Sequence, residues 1–258
     1  MITDSITRRD LAVQVSKRRT FAIISHPDAG KSTLTEKILL YAGAIELAGA
    51  VRGSKSQRHV VSDWMEMERQ RGISLTSTAL EFDLNGFRIS LLDTPGHQDF
   101  SEDTYRALVA ADSVVMVIDA AKGIEAQTRK LYEVCRRHRL PILTFVNKLD
   151  QPGRDPLELM DEIETTLGIA AAPLNWPMGT GPDFGGVFDI EAQTVRMYER
   201  AYKGERRALV EVAGVEDPQI EEFAGERVTR EFRESIGIIQ SAGHTFDHAE
   251  YLAGRQTG

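Results

Sequence analysis

The stretch Ser25 to Ser32, SHPDAGKS, follows an apolar run (Thr20 to Ile24, TFAII) and precedes a helix-forming one (Thr33 to Tyr41, TLTEKILLY). That is the setting of a P-loop, in which a turn between a buried strand and a helix N-terminus cradles phosphate. Gly30 lets backbone N–H groups close around an anion, Lys31 supplies a point charge for the β- and γ-phosphates, and Ser32 offers a hydroxyl to Mg²⁺. Ser25 stands where the pattern G-x-x-x-x-G-K-[ST] has its first glycine, so the match is degenerate, and a plain strand-to-helix turn would also produce it. The phosphate-binding segment read this way comprises Ser25, His26, Pro27, Asp28, Ala29, Gly30, Lys31, Ser32 and Thr33.

Two later passages supply the missing context. A strand-like run from Phe87 ends in Asp93-Thr94-Pro95-Gly96. A carboxylate at the C-terminal end of a buried strand beside a P-loop is where an aspartate reaches Mg²⁺ through water, and Gly96 leaves a backbone N–H for the γ-phosphate. The apolar run ILTFVN then ends in Asn147-Lys148-Leu149-Asp150. An aspartate there can accept from guanine N1–H and the 2-amino group, donors that adenine lacks on that edge, so the nucleotide predicted is GTP or GDP. Asn147 would touch the base and tie loops together, and the Lys148 stem would cover the base plane. The long polar segment 52–78 suits a loop that orders around a γ-phosphate and Mg²⁺, with Ser74 as candidate metal hydroxyl; a solvated surface loop is the bland alternative. The predicted metal set is Ser32, Ser74 and Asp93.

Strand-like runs alternating with amphipathic helical stretches predict an α/β fold, the P-loop NTPase three-layer α/β/α sandwich with a mostly parallel sheet. Strands are expected at Thr20 to Ser25, Ala79 to Leu84, Phe87 to Asp93, Ser113 to Asp119 and Ile142 to Asn147. Helices are expected near Ser32 to Tyr41, Phe100 to Ala110, Ala126 to Arg139 and Pro156 to Leu167. Asn85-Gly86 is a two-residue hairpin signal, so one edge strand should be antiparallel. Past about Leu174 the texture changes to a Gly- and Pro-dense passage, a short strand in TVRMYER, and a charged helical stretch from Asp217 to Ser241. The organisation expected is an N-terminal segment 1–17, a nucleotide-binding core 18–174, and an inserted α+β subdomain with an incomplete end of the core over 175–258.

A chain of 258 residues with 41% hydrophobic content can bury a full core. The net charge of −8 argues against nucleic-acid binding by global attraction, DNA included, while leaving room for a local basic patch on a larger RNA-containing partner. The single cysteine, Cys135, fits the apolar face of a helix and cannot form an internal disulfide, and the N-terminus has charges where a signal peptide needs an apolar core; a reducing cytoplasm fits. The longest apolar run is far too short to span a bilayer, so no membrane role is expected. His244 and His248 are spaced for one helical face, where surface coincidence explains them better than a metal site.

SHPDAGKS, SDWMEMERQRGIS, LLDTPGHQDFSEDTYRAL, MVIDAAKGIEAQTRKL, PILTFVNKLD and WPMG together resemble the translational GTPases, nearest to the bacterial release-factor GTPases of translation termination. The resemblance implies GTP hydrolysis on the ribosome, through contacts with rRNA and ribosomal proteins, used to drive class I release factors off. It makes His97 the residue that orients the attacking water, gated by the apolar Pro27 and Ile73. Ser74 stands where most of the family has threonine, and the hydroxyl survives. The family continues through a final sheet strand with a base-contacting loop, and the chain is expected to stop before it; Ser241-Ala242-Gly243 looks like that loop but falls in the helical annex by register. An elongation-factor-G-like or ribosome-protection GTPase stays open, as does a GTP/GDP-binding module with negligible hydrolysis.

Overall fold

The computed structural model describes residues 8–47, 50–51, 78–94, 102–200 and 206–258. The chain divides into two compact units, 1–116 and 117–258, and the division falls inside a strand.

In the first unit, α1 (Arg8–Ser16) leads into β1 (Arg18–Ser25) and α2 (Lys31–Tyr41). A ribbon of β2 (Ile45–Leu47) and β3 (Ala50–Val51) follows, then β4 (Thr78–Leu84), β5 (Phe87–Asp93), α3 (Glu102–Val109) and the start of β6 (Ser113–Asp119). The strand order is β4-β5-β1-β6. β4 and β5 pair antiparallel from Leu84↔Phe87 to Thr78↔Asp93. Asn85 and Gly86 turn the chain with φ of 49° and 81°, the two positive angles that a type I′ hairpin requires. β5 and β1 run parallel, with Ile23 beside Asp93. Ala22, Ile23 and Ile24 are fully buried, as expected of a near-continuous apolar run in the middle of a parallel sheet.

The second unit holds the end of β6, α4 (Ala126–Arg137), β7 (Ile142–Asn147), α5 (Pro156–Leu167) and β8 (Ala170–Ala171). Asp155 caps α5 by accepting from Leu157 N–H at 2.8 Å, Pro156 occupies the first turn, and Gly168 ends the helix with φ of 65°. The chain continues through β9 (Asn175–Met178), a single 3₁₀ turn (Gly181–Asp183), β10 (Gly186–Asp189), β11 (Thr194–Arg200) and β12 (Arg206–Ala213). It closes with α6 (Pro218–Ala224), α7 (Glu226–Ala242), α8 (His248–Leu252) and β13 (Gln256–Thr257). Within this unit the parallel strands follow the order β6-β7-β13-β8, and β9 to β12 form a separate antiparallel sheet. That second sheet has its own core, in which Phe188 and Phe232 meet edge to face at 6.2 Å among Trp176, Met178, Met197 and Ile236.

The charged helical stretch expected over Asp217 to Ser241 forms two helices, α6 and α7, separated at Gly225 with φ of 81°. One expectation changes. His244 precedes α8 and shares no helical face with His248; its Nε2 lies 3.4 Å from a Glu164 carboxylate oxygen. Between β7 and β8 the parallel sheet holds the two-residue β13, where Thr257 pairs with both Ile142 and Ala171. A two-residue strand made of Gln and Thr carries no hydrophobic period, so the sequence pattern could not register it. Ser241 and Ala242 do lie at the end of α7, in the helical annex. Cys135 is fully buried, and burial pushes its thiol up to about 12, which leaves it no thiolate chemistry near neutral pH.

Because Phe232 is 2% exposed at the centre of the second core, Phe232→Ala should cost about 3–5 kcal/mol in denaturant unfolding of the 117–258 unit. A midpoint shift worth under about 1 kcal/mol would mean that the annex is not held by this core.

Candidate nucleotide site

Ser25 ends β1 and is buried, and Asp28 and Gly30 follow with φ of 66° and 99°. Gly30 is open to that left-handed angle at low cost, and it is the residue from which α2 springs. No side chain caps α2, and its first turn holds no acid. The N–H groups of Lys31, Ser32 and Thr33 therefore remain for an external anion, with the positive end of the helix dipole behind them. Ala29 is buried beneath the turn, His26 and Pro27 are half-buried, and Ser32 and Thr33 are exposed.

Lys31 turns the other way. Its ammonium lies on an Asp93 carboxylate oxygen, and the two side chains are only 6% and 5% exposed. Two charges removed from water this completely are tolerable only against each other. The next residue fixes the geometry: the Thr94 hydroxyl, itself buried, donates to the Ile23 carbonyl at 2.7 Å and ties the end of β5 to the strand that leads into the turn. Asp93 and the exposed Ser32 hydroxyl are hard oxygen donors, which suits Mg²⁺. The donor set fits that ion.

In the second unit Asn147 ends β7, and Lys148 follows with φ of 66°. The Lys148 ammonium bonds Asp119 at the end of β6, at 2.7 Å. Burial opposes charge on Asp119, but the Lys148 bond and an N–H from Ala121 at 2.8 Å outweigh it, so the carboxyl is held below the usual aspartate range. Ala120 N–H donates to the Asn147 carbonyl at 2.9 Å, and Gly181 N–H donates to that of Leu149 at 2.7 Å. The Asn147-to-Asp150 segment is thus pinned by its backbone and by Lys148, while Asp150 is left exposed. Asp119 is not among the residues that the sequence motifs single out, although a carboxylate at the end of an apolar strand is the same signal that marks Asp93.

Pro95, Gly96 and His97, together with Ile73 and Ser74, lie outside the described residues. The structure brings Lys31 to Asp93 and Lys148 to Asp119.

A carboxyl with a lowered folded-state pKa contributes stability that is complete above the unfolded value, near 3.8, and is lost as pH falls through the folded value. Asp119→Asn should therefore be less stable than the parent chain near neutral pH, and the difference should shrink as pH drops below that value. Parallel melting curves that keep a constant gap down to the acid limit would refute the assignment.

The family model of the elongation factor Tu GTP binding domain matches residues 16–242. Peptide chain release factor 3 of Microcystis aeruginosa is 57% identical over 243 residues, covering 94% of this chain and 45% of the relative. The proteins of the same name from Trichodesmium erythraeum and Cyanothece are 54% and 53% identical, covering 96% and 100% of this chain and 46% and 47% of their own lengths. The chain thus spans about half the length of the curated relatives it matches. A crystal structure from Thermus thermophilus superimposes with a TM-score of 0.67 at 26% identity, covering 93% of this chain and 36% of that one. The P-loop α/β fold and the uncapped helix with its buried lysine–aspartate pair agree with these likenesses, and the chain belongs to the elongation factor Tu GTP-binding domain family, among the translational GTPases.

Proposed function

We propose that this chain is the GTP-binding and GTP-hydrolysing part of a translation termination factor, cytoplasmic, which in the whole protein drives class I release factors off the ribosome. The observation that carries the reading is the Lys31–Asp93 pair beside the uncapped start of α2, in a chain whose relatives at 53–57% identity are named peptide chain release factor 3. Those names favour it over an elongation-factor-G-like or ribosome-protection GTPase.

The phosphates would rest on residues 25–33, where Lys31 exchanges part of its contact with Asp93 for phosphate oxygens as they arrive. Mg²⁺, when bound, neutralises charge on the β- and γ-phosphates. Ser32, Ser74 and Asp93 would hold it, Asp93 through water, and the Gly96 N–H would face the γ-phosphate. His97, gated by Pro27 and Ile73, would orient a water for attack on the γ-phosphorus, so that the bond to the β–γ bridging oxygen breaks and the charge leaves on GDP. Asp150 would accept from guanine N1–H and the 2-amino group, Asn147 would touch the base, and Lys148, steered by Asp119, would lay its stem along the base plane. The ribosome, through rRNA and ribosomal proteins, would supply the acceleration that such switches lack alone, roughly 10³ to 10⁵-fold when a partner completes the site.

Asp150→Asn should weaken GDP binding by about 1–3 kcal/mol and shift preference toward xanthosine diphosphate, whose base accepts where guanine donates. Calorimetry giving unchanged GDP affinity would remove Asp150 from the base site. His97→Ala should leave GTP affinity nearly unchanged while single-turnover hydrolysis with ribosomes falls by roughly a hundredfold or more, the scale of a lost general acid–base or positioning group. Normal hydrolysis by that variant would exclude His97 from the chemistry, and a parent chain that ribosomes fail to stimulate would favour a nucleotide-binding module over an enzyme.

A further inference from the structure

The loop 120–124 joins Asp119 to the approach of α4, and it is fastened at both ends by groups that lie outside the segment Asn147 to Asp150. At its start, Arg154 N–H donates to the Ala120 carbonyl at 3.0 Å. The approach is close: a Cβ at Gly153 would lie 3.2 Å from the Ala120 carbonyl carbon and oxygen, a tight contact that glycine avoids. At its far end, Ile124 N–H donates to a Glu162 carboxylate oxygen on α5 at 3.4 Å. The Arg154 guanidinium joins the two fastenings by bonding the other oxygen of Glu162 at 2.5 Å, with Glu158 a further 3.9 Å neighbour. Gly123 passes directly over the pair at φ of 69°, and a Cβ at that position would collide with both side chains. The loop is therefore clasped between Arg154 and Glu162, and its first residue adjoins the aspartate that holds Lys148.

We propose that Arg154 and Glu162 are positioning residues for guanine recognition: their ion pair fixes the 120–124 loop on α5, the loop fixes Asp119, and Asp119, by holding Lys148, sets the segment from which Asp150, two residues on, meets the 2-amino group of the base. Neither residue touches nucleotide in this scheme. The inference rests on the reading of Asn147 to Asp150 as the guanine-binding segment. It adds that base selectivity is set in part from α5, by a contact that a sequence motif does not contain.

The test compares GDP with inosine diphosphate, which lacks the 2-amino group that Asp150 would accept from. Affinities are measured by displacement of a fluorescent GDP analogue from the full chain, with melting curves run alongside. Glu162→Ala should lower the GDP-to-inosine-diphosphate affinity ratio by about fivefold, within the range by which remote contacts modulate a site. Glu162→Gln, which keeps an acceptor for Ile124 N–H but loses the ion pair, should fall between it and the parent chain. The charge-swapped double variant Arg154→Glu with Glu162→Arg should recover part of the ratio. A general loss of structure would weaken both nucleotides equally and leave the ratio unchanged, and that outcome overturns the proposal. So does an unchanged ratio in Glu162→Gln, the near-isosteric variant that keeps the proposal testable should Glu162→Ala not fold. A parent chain that binds neither nucleotide, or binds both equally, overturns instead the guanine reading on which the proposal stands.

Discussion

The buried contact between Lys31 and Asp93 is the constraint around which the first unit is arranged. Each charge is nearly sealed from water, so each would be untenable if the other were displaced by even a residue. The register that puts Ile23 beside Asp93, and the Thr94 hydroxyl on the Ile23 carbonyl, hold the two strand ends level. The left-handed Gly30 starts α2 immediately after the turn, so that its first residue, Lys31, reaches back over the end of β5. Each of the two side chains neutralises the charge that the other would otherwise leave buried.

The second unit repeats the device with a different emphasis. Again a carboxylate ends a parallel strand and a lysine follows another strand end, but Lys148 is 27% exposed whereas Asp119 is 6% exposed. A half-solvated lysine loses less hydration, so this pair orients a side chain without committing its charge. Asp119 is the fixed member, held by Ala121 N–H and by the clasped loop beyond it.

What the sequence made legible was local. Asn85-Gly86, Asp155-Pro156 with Gly168, and the passage from Ser25 to Ser32 each state a backbone angle or a cap within a few residues, and the structure adopts them at those positions. The apolar runs of β1 and β6 are continuous because parallel strands are covered on both faces, which marks them against their polar surroundings. The illegible features join distant positions or lack a period. Asp119 meets Lys148 from 29 positions away, and Arg154, ahead of α5, meets Glu162 eight positions on within it. β9, β10 and β12 sit in a small sheet whose strands are set by pairing with their neighbours more than by their own composition, and β13 is too short to show any pattern.

The position of β13 bears on how such a chain can change over evolutionary time. β8 and β13 are hydrogen-bonded neighbours, so everything from 172 to 255, a complete antiparallel sheet and its helices included, is a loop tied off between adjacent strands. The entropic cost of such a closure grows only with the logarithm of its length. The annex could therefore be enlarged, trimmed or exchanged while the parallel sheet kept its order, leaving the Lys31–Asp93 and Lys148–Asp119 pairs to one history and the decoration beside them to another.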